Sequence, residues 1–440
     1  MGADVTTQGG TPAPPPEPED VSPAGDGAEG ADTPPAAPAA RKGRRWLRVL
    51  GLSTVLLLLA GTGTAWYLYK QLDGNIKTDF RTANELERIQ AERPTPGPTS
   101  AENILLIGSD NRGNGNTEYG KDSGTQRSDT TILLHLSADR SSATAVSIPR
   151  DLMARVPSCT QANGTMTQEK YVQFNWAFQF GGAACTIRTV ERMTGIRIDH
   201  HLIVDFSGFK KMVDAVDGVE VCVPKAIRDP EAHLNLPAGK QTLYGEQALG
   251  YVRARYSIGD GSDTQRMNRQ QDFLASLVNK IRSDGVLLNP TKLYPLLSAA
   301  TSSLTADPGL DSLGELYDLV RSLENTPTSA VRFLTAPRQP YINNNDRDEL
   351  MQPEANQLFA TLRADKPVGV SGTTDGTPKP TAPATTAPAT AGPTAVAEPT
   401  ATGSGEDGKS RGTKPTPVPS GGEPTFPGTT ADQDICGKAQ

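Results

Sequence analysis

The chain has 440 residues, but it is only 36% hydrophobic and contains 36 prolines, so much of it should lie outside any packed core. One large domain is therefore favoured over several. The net charge of −7 at pH 7 argues against a general nucleic-acid-binding protein, which would normally carry a basic excess.

Both ends of the chain have a composition typical of disorder. Residues 1–45 are rich in Pro, Ala, Gly and acidic residues, and residues 366–440 are rich in Pro, Thr, Ala and Gly and end in a segment with Cys436. Such segments cannot bury enough apolar surface to order themselves. We therefore predict two disordered tails, of which the first is cytoplasmic.

Residues 46–69 are predicted to form a single transmembrane helix. Positions 49–69 carry no charged residue, and about 20 residues at a rise of about 1.5 Å reach across the roughly 30 Å of a bilayer core. The basic sequence RKGRR precedes this run, which predicts a cytoplasmic N-terminus and an extracellular remainder. A cleaved signal peptide is the alternative, because GTGTA offers small residues, but the leader and the apolar run are both longer than is usual for one.

After a partly helical stalk at 70–99, the pattern of residues 100–365 alternates between strand and helix. The sequences NILLIGSD, RSDTTILLHLS, TAVSI, HHLIVDF and VEVCVP are typical of strands. The sequences ACTIRTVERMTG, SGFKKMVDAVDG with Ser207 as its cap, GEQALGYV, and residues 264–283 have helical spacing. This alternation predicts an α/β domain, a layered α-β-α arrangement with a central mixed sheet. The adjacent His200 and His201 would face opposite ways in a strand and are interpreted as structural.

Charged residues stand at the ends of three predicted strands. Asp110 follows the first, Arg127 and Asp129 precede the second, and Arg150 follows the third. These charged ends could converge at one edge of the sheet. Asp110 and Asp129 are suited to a hard cation, Mg²⁺ or Mn²⁺, which usually takes one or two carboxylates plus phosphates and water.

The second charged cluster lies in YVRARYSIGDGSDTQRMNRQQ, at 251–271. Arg253 and Arg255 would share a face only in extended chain, so the preceding helix is predicted to end near Tyr251. Arg266 and Gln270 share one face of the following helix, with Arg269 close to it. Guanidinium groups suit phosphate oxygens, so with the acidic residues they indicate a diphosphate site. In the alternative interpretation the arginines form a solvated surface, and the two aspartates cap turns or pair with neighbouring arginines.

Cysteine usage agrees with an extracellular domain, where disulfides persist. Cys159, Cys185, Cys222 and Cys436 allow three pairings. We favour Cys159 with Cys185 and Cys222 with Cys436. The alternative leaves Cys222 as a buried thiol and Cys436 unpaired.

These motifs together resemble one known family. GSDNR, RSDTTILL, SIPRDL, FNWAFQFGG, VDFSGFKKMVDAVDGVEV, YVRAR and RMNRQQ follow in this order after one membrane anchor, and are similar to the LytR-CpsA-Psr family of cell-wall glycopolymer transferases. The resemblance implies an enzyme, a phosphotransferase that moves an anionic glycopolymer, such as teichoic acid or capsule, from a polyprenyl diphosphate carrier to peptidoglycan. Its partners would be these two substrates and the membrane lipid, with no nucleic acid.

The resemblance also assigns roles to residues. It implies that Asp110 and Asp129 bind the metal, and that the diphosphate is contacted by Arg127, Arg150, Arg253, Arg255 and Arg266, with Gln270 as a neighbouring polar contact. Arg269, Gln173 and Asn175 are further candidates for substrate binding. Asn175 of FNWAFQFGG matches the family motif. Gln173, which directly precedes this sequence, occupies a position where a lysine is frequent in the family. The loop GNGNTEYGKDSG is also longer than usual.

The lipid would need an apolar wall, for which LIVDF, Phe209, Met212, Val213 and Val216 are candidates. Two other functions remain open from the sequence: a polyprenyl diphosphate phosphohydrolase that uses water as acceptor, and a non-catalytic anchored cell-wall regulator. Product analysis separates the first from a transferase. The second has no DNA-reading motif to support it.

Overall fold

The computed structural model describes residues 42–109, 128–254, 263–283, 285, 289–372, 423–433 and 436. Three predicted site residues, Asp110, Arg127 and Arg255, lie outside the described residues, as do most of the two predicted disordered tails. The chain divides by its contacts into two units, one ending at Gly63 and one beginning at Thr64.

The strands in chain order are β1 Lys77–Thr78, β2 Glu102–Ser109, β3 Ser128–Leu136, β4 Ala143–Ile148, β5 Met153–Val156, β6 Lys170–Gln173, β7 His200–Asp205, β8 Val219–Val223, β9 Ile227–Asp229, β10 Leu234–Leu236, β11 Gly239–Leu243, β12 Leu304–Ala306, β13 Val331–Thr335, β14 Arg338–Tyr341, β15 Asn344–Leu350, β16 Gly369–Gly372 and β17 Thr425–Thr430. The helices are α1 Lys42–Asp73, α2 Phe80–Arg88, α3 Trp176–Thr194, α4 Phe206–Ala215, α5 Gly245–Arg253, α6 Asp263–Ser283, α7 Pro290–Thr301, α8 Leu313–Ser322 and α9 Glu354–Arg363.

Helix α1 carries the predicted membrane segment. Among the described residues, Trp46–Asp73 is the one stretch of helix long and apolar enough to cross a membrane. Its leucines and valines between Leu47 and Leu59 are exposed, as lipid-facing side chains would be.

The second unit is built on a nine-stranded mixed sheet with the order β1-β12-β7-β2-β3-β4-β13-β17-β16. Strand β2 is parallel to β7 and antiparallel to β3, and β4 is antiparallel to β3 and parallel to β13. The carboxyl ends of β2, β7, β4 and β13 and the amino end of β3 therefore lie at the same edge. This arrangement brings the charged ends predicted from the sequence to one side of the sheet.

Helices cover both faces of the sheet, which confirms the predicted α-β-α layers. On one face Leu105, Ile107 and Leu133 pack with residues of α3 and α9, such as Ile187 and Phe359. On the other face Ile132, Ala145 and Phe333 pack against Ala275 of α6. Alternate residues of β3 thus serve opposite cores, as the two-residue period of a strand requires.

Helices α4, α5 and α6 share a further hydrophobic core with the antiparallel pair of strands β8 and β11. Their shared cluster includes Val213, Val221, Leu243 and Phe273, all buried. Asp205, not Ser207, caps α4, because its side chain accepts from Gly208 N at 2.7 Å. Helix α5 continues to Arg253, two residues beyond the predicted end.

The segment predicted as a stalk packs onto the domain. Leu86 of α2 is buried in the core with α3 residues, and Arg93 forms a buried ion pair with Glu191 at 2.7 Å. The C-terminal segment also differs from the prediction, because β16 and β17 join the sheet beside β13.

The structure pairs Cys159 with Cys185 and Cys222 with Cys436, which is the pairing that the sequence favours. The first disulfide, with a Cα–Cα distance of 5.6 Å, ties the β5–β6 region to α3. The second ties the chain beyond β17 to β8.

Candidate functional site

A cavity of about 430 Å³ opens where the ends of β2, β3 and β7 meet helices α4, α5 and α6. Gly108, Asp129 and Asp205 mark these three strand ends on its wall. Gln271 holds α6 over the sheet, since its side-chain amide donates to Thr335 Oγ1 at 2.8 Å. The cavity therefore lies at the charged edge of the sheet.

Asp129 and Arg150 form the polar wall nearest the sheet. Arg150 Nη1 donates to Asp129 Oδ1 at 3.1 Å, and Arg150 Nε donates to Asp151 Oδ2 at 3.3 Å. The guanidinium group is thus held between two carboxylates while its side chain remains partly exposed. A fixed, accessible guanidinium group is suited to bind a phosphate oxygen.

Arg253 and Arg266 add cationic groups from the helical side. The guanidinium carbon of Arg253 lies 4.7 Å from the centre of the Phe206 ring, within the range of a favourable cation–π contact. Arg266 and Gln270 line the same cavity from α6, and Gln270 Nε2 donates to Val252 O at 3.0 Å. The predicted residues Asp129, Arg150, Arg253, Arg266 and Gln270 are therefore brought together in one cavity.

Arg269 is placed differently from its neighbours. It is buried, its guanidinium group donates to the carbonyl of Ala254, and it does not line the cavity. Burial lowers the pKa of Arg269 from its usual value. Its contact holds the end of α5 against α6, which makes it a support for Arg253.

Gln173 and Asn175 lie on the other side of Arg150. Gln173 Nε2 donates to Asp151 Oδ1 at 2.5 Å, and Asn175 N donates to Arg150 O at 3.1 Å. Asn175 is buried, and its Oδ1 has no hydrogen-bond partner among the described residues. Buried polar atoms are usually paired, so this oxygen is available to a ligand or water.

Part of the cavity wall is apolar. It includes Phe209 and Met212 of α4 and Phe273, Leu274 and Leu277 of α6. Among the candidate lipid-wall residues, Val204, Phe206, Phe209 and Met212 line the cavity, whereas Val213 and Val216 are buried in the core of α4, β8 and α6 instead. A wall that combines arginine side chains with apolar side chains suits an amphiphile with a phosphate head.

The suitability of this site for a divalent cation depends on its oxygen donors. Asp129 places one carboxylate on the wall, and Mg²⁺ usually takes one or two carboxylates together with phosphate oxygens and water. Within the described ranges, no group of three or more His, Cys, Asp and Glu side chains is arranged to hold a metal ion. A cation would thus rely on Asp129 and the substrate phosphates, with Asp110 as the predicted second carboxylate.

The sequence reasoning missed several charged residues around this site. Asp151 directly follows Arg150 and could have been found from the SIPRD motif. Asp229 and Glu231 line the cavity from the β9 turn, where Asp229 accepts from Ala232 N at 3.0 Å. Arg347, 4.0 Å from Asp151, lies far along the chain in a polar hairpin, where no local pattern indicated it.

The fold and the cavity define an α/β protein with one helix that is long and apolar enough to cross a membrane, and with a charged, partly apolar cavity at one edge of its sheet. The chain belongs to the LytR_cpsA_psr family, whose model matches residues 67–364.

Similar proteins are known in several bacteria. The cell wall biosynthesis protein LcpA of Corynebacterium glutamicum is 33% identical over 335 residues, which cover 70% of this chain and 62% of that protein. The chain thus spans less than two thirds of this relative. The polyisoprenyl-teichoic acid–peptidoglycan teichoic acid transferase TagU of Enterococcus faecalis is 29% identical over 276 residues, covering 62% of this chain and 83% of that protein.

Among solved structures, the protein gbs0355 of Streptococcus agalactiae shares the fold. Its TM-score is 0.50 at 21% identity, covering 61% of this chain and 89% of that chain.

Proposed function

We propose that this protein is a membrane-anchored phosphotransferase that moves an anionic glycopolymer from a polyprenyl diphosphate carrier to peptidoglycan, forming a phosphodiester. The observation that carries the proposal is one cavity whose wall combines Arg150, Arg253 and Arg266 with apolar side chains such as Phe273 and Leu277. A diphosphate with a long hydrocarbon chain offers a partner to both kinds of side chain. The names of the relatives, a cell-wall biosynthesis protein and a teichoic acid transferase, support the same substrate class.

The arginines would bind and orient the diphosphate. Arg253 is positioned by its contact with the Phe206 ring, and Arg150 by its hydrogen bonds to Asp129 and Asp151. Planar donors fixed in this way lose little entropy on binding and stabilise the charge that develops on the leaving phosphate. Polyprenyl phosphate would leave when an acceptor hydroxyl attacks the phosphorus of the glycopolymer. A Mg²⁺ or Mn²⁺ held by Asp129, with Asp110, would supply further charge neutralisation when bound.

The location of the reaction follows from the proposed topology. The basic residues before Trp46 would keep the N-terminus in the cytoplasm, so the catalytic domain would lie outside, where peptidoglycan is found. The two disulfides agree with an oxidising compartment.

The test is transfer by the purified full-length protein in detergent micelles. A polyprenyl diphosphate-linked glycopolymer is incubated with Mg²⁺ and soluble peptidoglycan oligomers, and the products are identified by mass spectrometry. We expect a phosphodiester-linked conjugate that forms only when the peptidoglycan oligomer is present. Release of free phosphorylated polymer at the same rate with and without the oligomer would identify a hydrolase instead.

A further inference from the structure

We propose that the acceptor glycan binds on a shelf formed by two hairpins, β5–β6 and β14–β15, with Tyr171 and Tyr341 as its platform. This proposal rests on the proposed function, since it assigns the second substrate of the same reaction. The shelf is separate from the cavity that would hold the lipid-linked donor.

The shelf presents aromatic surface to solvent. The rings of Tyr171 and Tyr341 lie edge to face with their centres 6.0 Å apart, and Tyr171 is 46% exposed. Ile342 at the tip of the β14–β15 hairpin is 84% exposed beside them in the chain. Asn343 Nδ2 donates to the hydroxyl of Tyr341 at 2.9 Å, which fixes that ring. Tyr341 is half-buried, so Tyr171 offers most of the exposed aromatic surface, which suits the C–H face of a pyranose ring.

Direct contacts connect the shelf to Arg150, one of the residues proposed to bind the phosphate. Tyr171 and Gln173 lie on the same face of β6, about 7 Å apart along the strand. Gln173 donates to Asp151, and Asp151 accepts from Arg150. The second hairpin joins the same point, because Asp348 N donates to Asp151 O at 3.3 Å. A sugar on the tyrosines would thus lie about one or two residues of a glycan from Arg150.

The strand order puts the shelf and the cavity on different sides of Arg150. The cavity lies at the ends of β7, β2 and β3, whereas the two hairpins follow β4 and β13, the next two strands of the sheet. In phosphoryl transfer the attacking and leaving oxygens are roughly in line on opposite sides of the phosphorus. A lipid phosphate leaving on the cavity side therefore requires the acceptor hydroxyl to arrive from the side of the hairpins.

The charges of the shelf favour a glycan over the anionic polymer. Its cations are largely matched by carboxylates: Arg155 pairs with Glu169 at 3.1 Å, and Arg338 pairs with Asp348. Arg347 faces Asp151 at 4.0 Å. A polyanion would gain little on such a balanced surface, whereas sugar hydroxyl and amide groups could bond to both signs.

The test measures binding of the acceptor without any donor. Soluble peptidoglycan glycan oligomers are titrated calorimetrically into the full-length protein and into the Tyr171→Ala/Tyr341→Ala variant. We expect at least a tenfold loss of affinity for the double variant and near wild-type affinity for Tyr171→Phe. Tyr317→Ala is the matched control, since Tyr317 of α8 is 50% exposed and belongs to neither hairpin.

In turnover, the double variant should raise the KM for the oligomer at least tenfold and leave the KM for the lipid-linked donor unchanged. Unchanged oligomer affinity in the double variant would overturn the shelf, as would a selective loss of binding to soluble poly(glycerol phosphate). Tyrosine-dependent binding by a protein that transfers nothing would support the shelf and overturn the proposed function. If the wild type transfers the polymer and the tyrosine changes have no effect, the proposed function is supported and the shelf is overturned.

Discussion

Arg150 contacts residues on both sides of the site. Its Nη1 contacts Asp129 on the cavity wall, and its Nε contacts Asp151, which also accepts from Gln173. Because the two carboxylates already balance its charge, a phosphate bound here would compete with Asp129 for the guanidinium group. A cation bound by Asp129 would relieve that competition, which gives a physical reason for the proposed metal dependence.

At this scale we predict that Asp129→Ala abolishes most metal-dependent transfer. The cation would lose one of its few anionic ligands, and Arg150 would lose the contact that orients it. The measurement is the rate of transfer by full-length protein across a Mg²⁺ titration. Asp318→Ala, at an exposed position of α8, is the control and should keep its response to Mg²⁺. Near wild-type transfer by Asp129→Ala would remove Asp129 from the metal site.

Arg253→Lys should also reduce transfer, although it keeps the charge. Lysine cannot form the planar fork that Arg253 presents over Phe206, and a hydrogen bond to a charged group contributes about 1.5–3 kcal/mol. We therefore expect kcat/KM to fall roughly 10- to 100-fold. Arg88→Lys provides the control, because the Arg88 side chain is 74% exposed and pairs with Glu85. Full activity of Arg253→Lys would make this arginine an ordinary surface cation.

At the scale of elements, His200 at the start of β7 is held by the turn after β12. His200 Nδ1 lies 3.0 Å from Asp307 Oδ2, and this hydrogen bond raises the pKa of His200, while burial alone would lower it. The neighbouring pair of His201 Nε2 and Asp79 Oδ2, 3.3 Å apart, adds a second link from β7 to the cap of α2. The contact of His201 with Asp79 therefore joins the region predicted as a stalk to the sheet.

The raised pKa predicts a specific dependence of stability on pH. Since the folded-state pKa of His200 is above its unfolded value, the stabilisation is fully present below about pH 6.5 and is lost as pH rises through the folded-state value. His200→Gln should therefore lower the free energy of unfolding by about 1 kcal/mol at pH 6 and by less at pH 9. Denaturant unfolding at both pH values measures this. An equal loss at pH 6 and pH 9 would contradict the ion pair.

Strand β17 enters the sheet between β13 and β16, although it comes from the C-terminal end of the chain. A Cβ added at Gly428 would lie 2.4 Å from Phe333 O, a backbone atom that cannot give way. We predict that Gly428→Ala destabilises the protein by about 1–3 kcal/mol through overpacking. Gly372→Ala in β16 is the control, because the added Cβ would meet only Gln433 Nε2, at an ordinary contact distance of 3.7 Å. Thermal unfolding of both variants tests this prediction. Equal melting temperatures would show that Gly428 of β17 does not pack closely against β13.

At the scale of the whole molecule, the sequence could predict those features that depend on a local pattern of residues. The convergence of Asp129 and Arg150 was accessible because both stand at ends of clearly apolar strands, and the structure places their side chains 3.1 Å apart. Other features depend on contacts between distant segments. The short helix α2 is recognised as part of the domain from such contacts, for example those of Leu86 with the core beside α3 and of the helix cap Asp79 with His201.

Two further parts of the fold were hidden for related reasons. Strand β17 follows the Pro- and Thr-rich residues 373–422, and its sequence TFPGTT lacks the apolar alternation of a strand. The β14–β15 hairpin is polar, because it carries Arg338, Arg347 and Asp348 toward the edge of the site. Functional hairpins of this kind lose the hydrophobic pattern by which strands are recognised.

The last prediction concerns the orientation of the whole chain in the membrane. The basic residues Arg41, Lys42, Arg44 and Arg45 before the charge-free run should hold the N-terminus in the cytoplasm. In intact protoplasts, an added protease should cleave an epitope tag fused to the C-terminus and leave an N-terminal tag protected. Replacing the four basic residues with serine should increase the fraction of chains whose N-terminal tag is cleaved, whereas serine at Lys366, far from the span, should not. Protection of the C-terminal tag in the wild-type protein would place the domain inside the cell and remove peptidoglycan as its acceptor.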